Sequence, residues 1–456
     1  MPNIARCGGC SSASGGRRHD SLAFALSAAA AVQRALLRRS PLVSNALSLY
    51  AVQFAGNLVS FVTMPFLARV LRPDTFGLLV LAQSFALWLS VLLEYGFNLS
   101  ATRDIATHRQ DPERVAEIVA GVHGAKGLLA LGVVVIAAIT AGTLPALRQH
   151  PEYLVWAWVQ AVALGFSPLW YFQGTERLVP PAVMEVAARA AATAAIFVVV
   201  RTSDDGWKAM ALQASATVAA TGVPLVWLYR QVPWRRPKRT QAVSVLKSAW
   251  GMFVFRGAHG LYTTMNVLIL GLFVPTRAVG YFGAAERIAR GVLNLLTPVT
   301  QTLYPRINHL VRRDARRAGA LARLGLALIA VLGLTLGAGL AVAAPLVVRI
   351  LLGPGYDSSV PVLRGLALLV PLSGASSALA MQWLFPLGME RWVTTVILIA
   401  GMVNVGLAVL LAPRFAQMGM VWAVLGAEVF IVAALARYAG RRRVPRGDHA
   451  PDSAVA

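Results

Sequence analysis

The sequence predicts an all-helical integral membrane protein, with about twelve transmembrane helices in two six-helix lobes around a central cationic cavity. Three observations predict it: an apolar composition, repeated stretches of bilayer-spanning length, and an uneven distribution of Lys and Arg between loops. Hydrophobic residues make up 57% of the chain and charged residues only 13%, with a mean hydropathy of +0.63. Soluble domains carry roughly a quarter charged residues, so a soluble fold is excluded. The net charge of +23 would suit nucleic acid. No nucleic-acid-binding motif is present, however, and the basic residues lie between apolar segments rather than along one face, so no such partner is expected.

A hydrocarbon core ~30 Å thick takes about 20 apolar residues as a helix. Such stretches recur at 43–68, 76–100, 115–143, 153–173, 180–200 and 208–229, and again at 245–273, 279–304, 321–347, 359–387, 391–411 and 416–438. The first six form an N-lobe, 41–229, and the last six a C-lobe, 245–438. A basic cytoplasmic linker at 230–244, containing WRRPKR, joins them, and a basic tail at 439–456 follows. Pro65, Pro168, Pro298 and Pro371 lie inside spans, where neighbouring helices can satisfy the freed carbonyls, and kinks are expected there. Residues 1–40 read as a disordered or amphipathic leader. SLAFALSAAAAV at 21–32 resembles a signal-peptide core, but Arg38 and Arg39 directly before the first span favour a cytoplasmic lead-in. Cys7 and Cys10 form a lone CGGC with no second ligand pair, so no metal or cofactor is expected.

With the amino terminus inside, the inner loops hold 24 Lys and Arg and the outer loops 8. Short-loop basic residues govern insertion, so both termini are expected in the cytoplasm of a multi-pass inner-membrane protein. The halves also echo each other. PDTFGLLVLAQ (73–83) and PTRAVGYFGAAE (275–286) each place a loop Pro before Gly77 or Gly280 and a polar residue, Gln83 or Glu286, six positions on. Six helices per half make both halves enter from the same side, as in transporters whose repeats are related by an axis along the membrane normal.

No loop is long enough for a soluble catalytic domain, and neither a Walker A pattern nor HExxH is present. No enzyme is expected. What remains is a set of cations inside spans: Lys126, Arg189, Arg256, Arg287, Arg290, Arg323 and Arg364. Intramembrane charges cost ~2.5 to 3.5 kcal/mol on insertion scales and usually face a protein interior or wet cavity. Glu185 with Arg189, and Glu286 with Arg290, are spaced i,i+4 with the acid first, which suits neutralisation along one helix. His123 and Lys126 belong either to a site or to an amphipathic helix start.

Arg256, in MFVFRGAHGLYTTMNVLILGLF (252–273), stands apart. It lies nine residues beyond Lys247, about 13 Å along a helix, with no acid at i±3 or i±4. His259 is one turn on, and Gly257, Ala258 and Gly260 flank it. A guanidinium on a cavity wall holds phosphate or carboxylate bidentately; the alternative is a structural cation bonded to carbonyls of a neighbouring helix. Arg256, His259, Arg287, Arg290, Lys126 and Arg189 are the candidate substrate-binding residues.

PFLARVLRPDTFGLLVLAQ (65–83), LEYGFNLSATRDIA (93–106), SPLWYFQGTER (167–177), NVLILG (266–271), VGYFGAAERI (279–288) and LYPRI (303–307) together resemble the Wzx-type oligosaccharide flippases. These are polysaccharide-biosynthesis members of the multidrug/oligosaccharidyl-lipid/polysaccharide exporter superfamily. The similarity covers about 41–440, in order. Arg72 stands where the family commonly has Gly, and Glu94 where it commonly has Asp.

The resemblance implies a MATE-like bundle that moves an undecaprenyl-diphosphate-linked repeat unit to the periplasmic leaflet by alternating access, for O-antigen, capsule or exopolysaccharide. It implies a lipid-linked oligosaccharide substrate, contact with membrane lipid, and work beside polymerase and chain-length proteins. Arg69, Arg103 and Gln173 fall on the family-like motifs at span ends and read as orienting or gating positions. Proton or sodium coupling would be sought at Glu94, Glu286 or Glu428. A multidrug exporter on the same fold would want acidic cavity residues, against the cation excess here. A peptidoglycan-precursor flippase usually carries fourteen helices, and a polysaccharide polymerase needs large periplasmic loops.

Overall fold

In the computed structural model, residues 41–311 and 313–441 are described, and the side chains at 41–58, 60, 61, 141, 255–259, 261–264, 315 and 441 lie outside that description. The expected leader and most of the basic tail therefore lie outside the described residues. The chain divides into two units, 1–55 and 56–456. In the first, residues 41–55 are helical; the second holds the architecture that follows.

The described residues form helices and connecting turns, with no strand among them. In chain order the helices are α1 (Pro41–Glu94), α2 (Phe97–His108), α3 (Pro112–Thr143), α4 (Pro145–Gln149), α5 (Pro151–Gly165), α6 (Leu169–Gly174), α7 (Val179–Val199) and α8 (Gly206–Gln231). After the basic linker come α9 (Arg239–Phe273), α10 (Thr276–Leu293), α11 (Thr297–Val311), α12 (Ala315–Leu351), α13 (Ser359–Ala367), α14 (Leu369–Ala378) and α15 (Glu390–Arg441).

Among the described residues, eight helical stretches are long and apolar enough to cross a bilayer. Two of them are double: the 47-residue stretch Val62–His108 contains a break at Arg72 (φ 59°, ψ 168°), and the 51-residue stretch Glu390–Gly440 one at Ala416 (φ 48°, ψ −130°). Two further expected spans, 245–273 and 279–304, fall on α9 and on α10 with α11. Charge explains why α10 does not count as apolar, since it carries Arg277, Glu286, Arg287 and Arg290 in 18 residues. Helical segments thus lie on all twelve expected stretches. The prolines act unequally: Pro168 caps α6 at a break after α5, and Pro298 opens α11 behind a short 3-10 turn, whereas α1 runs through Pro65. Asp111 and Asp314 start α3 and α12 by accepting hydrogen bonds from the Arg114 and Arg317 amides, both at 3.0 Å.

The echoed segments of the two halves meet each other. Gly77 of α1 and Gly280 of α10 cross backbone to backbone: a Cβ on Gly77 would overlap the Thr276 carbonyl, and one on Gly280 would overlap the Pro73 carbonyl. Membrane helices approach this closely only where side chains are small. Around the crossing, Arg277 pairs with Asp74 at 3.2 Å, Phe76 and Tyr356 pack edge to face with centroids 6.2 Å apart, and Arg69 donates to the Ile350 carbonyl.

One large core joins the halves at this crossing; it includes Phe76, Leu79 and Phe85 with Leu270, Val279, Phe282 and Tyr356. Two separate cores lie away from it. Phe97, Val115, Trp170 and Leu228 build one in the N-terminal half, and Leu384, Val393 and Ile431 another in the C-terminal half. Helix α9 serves both halves. Near its start Gln241 donates to the Glu117 carbonyl at 3.0 Å and Phe253 stacks on Tyr95 at 4.4 Å, whereas further on Asn266 bonds Asn404 of α15.

Candidate functional site

Two helical turns inward of the glycine crossing, a polar network spans the halves. Gln83 lies six residues beyond Gly77, and Arg287 seven beyond Gly280, so at 1.5 Å per residue both sit about 9 to 10 Å along their helices. The Arg287 guanidinium donates to Gln83 Oε1, the Gln83 amide donates to Gln213 Oε1 of α8, and the Arg287 guanidinium carbon stands 5.8 Å from the centroid of the Phe76 ring. Three helices from both halves are thereby tied through one cation. Among the described residues Arg287 makes no ion pair; its hydrogen-bond partner is a neutral amide.

Its neighbour Glu286 is already engaged. Arg290 donates to Glu286 Oε1 from Nε at 3.1 Å and from a terminal nitrogen at 2.8 Å, and Asn266 reaches the same oxygen at 3.5 Å. Asn404 Nδ2 in turn donates to Asn266 Oδ1 at 2.7 Å. Glu286, Asn266 and Asn404 are all buried. A buried acid held by an arginine and an amide chain is the arrangement in which removing one partner strands the other. The i,i+4 pairing read from the sequence is therefore present, with a continuation into α9 and α15 that charge spacing did not reveal.

Lys126 is fully buried and lies apart from this network. Its ammonium donates to the Ser167 carbonyl at 3.3 Å, beside Val122 and Ala125 of the N-terminal inner core, and Glu94 is close enough to act on its charge. His123, one turn away, shares Nδ1 with the Val119 carbonyl at 3.0 Å and packs between Trp170 and Tyr229, with centroids 6.0 and 5.5 Å away.

Other candidates are dispersed. Arg189 is about half exposed and pairs with Glu185 at 2.5 Å on α7. Arg103 is exposed and pairs with its neighbour Asp104 at 3.4 Å. Gln173 is exposed on α6, and Arg69 belongs to the glycine crossing. Glu428 is buried in α15 and accepts from Ser376 Oγ at 2.6 Å through one carboxylate oxygen; the other has no partner among the described residues. Arg256 and His259 lie on α9, between the part packed on the N-terminal half and Asn266, and their side chains are outside the described residues.

The structure thus brings together Arg287, Gln83 and Gln213, and separately Arg290, Glu286, Asn266 and Asn404. Gln213, Asn266, Asn404 and Ser376 carry no charge and are not among the residues predicted from the sequence. A neutral amide inside an apolar run, as in NVLILG, is the signal that finds them, because burying it without a partner costs several kcal/mol in hydrocarbon.

The profile of a family described as "Polysaccharide biosynthesis protein" matches residues 42–311. A relative from Escherichia coli (strain K12), named "Putative O-antigen transporter", is 28% identical over 395 residues, covering 85% of this chain and 94% of the relative. A protein of the same name from Shigella dysenteriae is 26% identical over 396 residues, covering 85% and 97%. Among solved structures, "Lipid II flippase MurJ, inward closed conformation" superposes with a TM-score of 0.69 at 11% identity, over 86% of this chain and 87% of that one. At that identity the likeness is one of fold.

Proposed function

This chain belongs to the polysaccharide biosynthesis protein family, as a multi-pass membrane transporter with the fold of the multidrug/oligosaccharidyl-lipid/polysaccharide exporter superfamily, and from that premise we propose its cargo and cycle. The cargo is an undecaprenyl-diphosphate-linked oligosaccharide repeat unit, of the kind that O-antigen assembly uses, carried from the cytoplasmic to the periplasmic leaflet of the inner membrane. The two halves, 41–229 and 245–438, rock about the outer joint in an alternating-access cycle. Both termini and the basic linker 230–244 face the cytoplasm.

The observation that carries this reading is Arg287. It is a cation at the junction of the halves, held by an amide rather than an acid, just inward of the outer joint. A diphosphate can replace Gln83 as its partner through charge-assisted bonds, whose net contribution is about 1.5 to 3 kcal/mol each, while the polyprenyl tail stays in lipid. The core shared at the glycine crossing supports a resting state that takes cargo from the cytoplasmic side. Arg256 on α9 is the second cation assigned to the diphosphate, with His259 as an added donor; Arg290, Lys126 and Arg189 contribute positive potential from further away. Moving about two negative charges outward gains ~2.3 kcal/mol per charge per 100 mV of inside-negative potential, enough to bias direction without an enzyme's chemistry.

The test is deletion of the gene followed by lipid extraction. Diphosphate-linked repeat units should accumulate in the cytoplasmic leaflet and surface polysaccharide should be lost, with drug sensitivity unchanged. Normal polysaccharide with raised drug sensitivity would overturn the reading in favour of a drug exporter. Arrest of cell-wall synthesis would overturn it in favour of a peptidoglycan-precursor flippase.

A further inference from the structure

Beside the glycine crossing, on the outer side set by the Lys and Arg distribution, lies a cavity of about 810 Å³. Its wall is built from both halves: the turn at Asp74, Thr75 and Leu78, the segment from Pro145 to Tyr153, the start of α8, and residues 271–276. None of the charged residues expected to bind cargo lines it. Its chemistry is the reverse of the Arg287 network, with Asp74, Glu152 and Asp204 at the wall and Tyr153 and Trp207 among them.

Tyr153 is only 3% exposed, yet it lines the cavity, and its hydroxyl makes no hydrogen bond to a described residue. Gly206 lies directly beneath that hydroxyl, where any Cβ would collide with it. The glycine thus keeps the phenol seated in the wall with its hydroxyl open to the cavity and free to meet a ligand. Trp207 follows at once and is 38% exposed, with the Lys208 ammonium 5.9 Å from its ring centroid. The carboxylates are partly engaged, Asp74 by Arg277 at 3.2 Å and Glu152 by His150 at 3.3 Å. Among the described residues no three acidic, His or Cys groups converge as metal ligands.

A part-exposed indole, an open phenol and acceptors spread around a cavity of this size match the needs of a pyranose. Its C–H face packs on an aromatic ring while its hydroxyls donate to carboxylates and accept from the phenol. With Asp74 balanced by Arg277, the wall keeps Glu152 and Asp204 as acceptors, which favours neutral or amine-bearing sugars over uronate. We propose that this outer vestibule is a carbohydrate-binding subsite that receives the sugar end of the cargo as the outer joint parts. This deepens the transport reading above and rests on it for the direction of traffic; sugar binding itself does not require transport.

The test is saturation-transfer NMR on the full-length protein in nanodiscs. The probes are methyl glycosides of neutral hexoses, 6-deoxyhexoses, N-acetylhexosamines and hexosamines, with methyl glucuronide, inorganic phosphate and Ca²⁺ as comparators. At least one neutral or amine-bearing glycoside should receive saturation, with ring C–H protons labelled most strongly. Tyr153→Phe should weaken it about fivefold and Trp207→Ala about tenfold. Tyr153→Phe retains the ring, so monodisperse protein with unchanged melting separates lost binding from lost fold. No binding across the glycoside panel, equal binding by both variants, or binding of Ca²⁺ alone would each overturn the proposal. The two readings fail separately: a repeat-unit transporter without sugar binding refutes the vestibule, and sugar binding without accumulation of repeat units on deletion refutes the transport role.

Discussion

The end of the bundle at the glycine crossing and the end opposite it are built on different principles. At the crossing two glycines let backbones touch, and one dry core runs from Phe76 and Leu79 into Val279 and Phe282. Away from the crossing there are two cores, one around Trp170 that takes in Ala242 and Ala249 of α9, and one around Leu384. Parting the halves there has to move or bend α9, whereas parting the glycine crossing exposes apolar surface on both halves. In the proposed rocking cycle the glycine crossing is the joint that has to part, and cargo supplies the free energy that parts it. The polar network around Arg287 sits where that free energy would be delivered, immediately inward of the joint.

Breaking the joint should give the largest effect. Gly280→Leu drives a side chain into the Pro73 carbonyl, which as backbone cannot swing aside; overpacking of ~1 to 3 kcal/mol or more is expected. Transport should fall by more than about a hundredfold. In a background with Cys7 and Cys10 replaced, a cysteine at buried Leu79 should become open to an impermeant maleimide from the outer side. Normal transport in the Gly280→Leu protein would mean that closure of this crossing is not part of the cycle.

Next in size is removal of the cation below the joint. Arg287→Ala should lower transport by roughly 10- to 150-fold, the equivalent of one charge-assisted contact of about 1.5 to 3 kcal/mol. Protein abundance should stay near normal, because the partner left behind is the neutral Gln83. Arg287→Lys should recover part of the activity, keeping charge but losing the bidentate fork. Comparing it with Arg256→Ala ranks the two cations, and wild-type transport by both variants would remove the cationic site from the mechanism.

Smaller still is the amide chain that holds Glu286 from the side. Asn404 is fully buried and donates to Asn266 at 2.7 Å, so Asn404→Leu strands an acceptor; interhelical bonds of this kind contribute about 1 to 2 kcal/mol in membrane peptides and less in measured cycles. The melting temperature in nanodiscs should drop by a few degrees while transport persists. Adding Asn266→Leu should give less loss than the sum of the single changes. Strict additivity would mean that the two amides do not act as a pair.

The twelve apolar runs were legible because a bilayer imposes length and composition on every span, and 279–304 reads as one of them despite Glu286, Arg287 and Arg290. The echo between 73–83 and 275–286 aligned Gly77 with Gly280 and Gln83 with Glu286 as corresponding positions of the two halves; that the glycines touch, and that Gln83 meets Arg287, belongs to the fold and not to the repeat. The amides Gln213, Asn266 and Asn404 were not legible, since a single neutral side chain barely changes hydropathy and its partner lies up to 138 positions away. The course of α9 was hidden for a related reason. Its start at Arg239 belongs by packing to the N-terminal half, but the charge of the linker suggested a boundary at 244. The outer vestibule escaped because a search for cations passes over a pocket whose groups are acidic and aromatic.

The smallest effect is expected at Arg103, on the inner rim, and it sharpens the contrast between the ends. Its charge lies on the LEYGFNLSATRDIA motif, which suggests a role in orienting cargo. In the structure, however, the side chain is 67% exposed and its ion-pair partner is the adjacent Asp104, at 3.4 Å. An exposed pair of this kind is worth about 0 to 1 kcal/mol, because water and salt screen it and two long side chains gain little by meeting. No inner core depends on it. Arg103→Ala should therefore leave melting unchanged and alter transport by no more than about fivefold, the factor that 1 kcal/mol allows. The loss should shrink further in high salt, since steering of an anionic headgroup by a rim charge is screened within about 10 Å at 0.1 M ionic strength. Initial transport rates in proteoliposomes at two salt concentrations decide it. A loss as large as that from Arg287→Ala, insensitive to salt, would place Arg103 in direct contact with the diphosphate and move the first binding site to the inner rim.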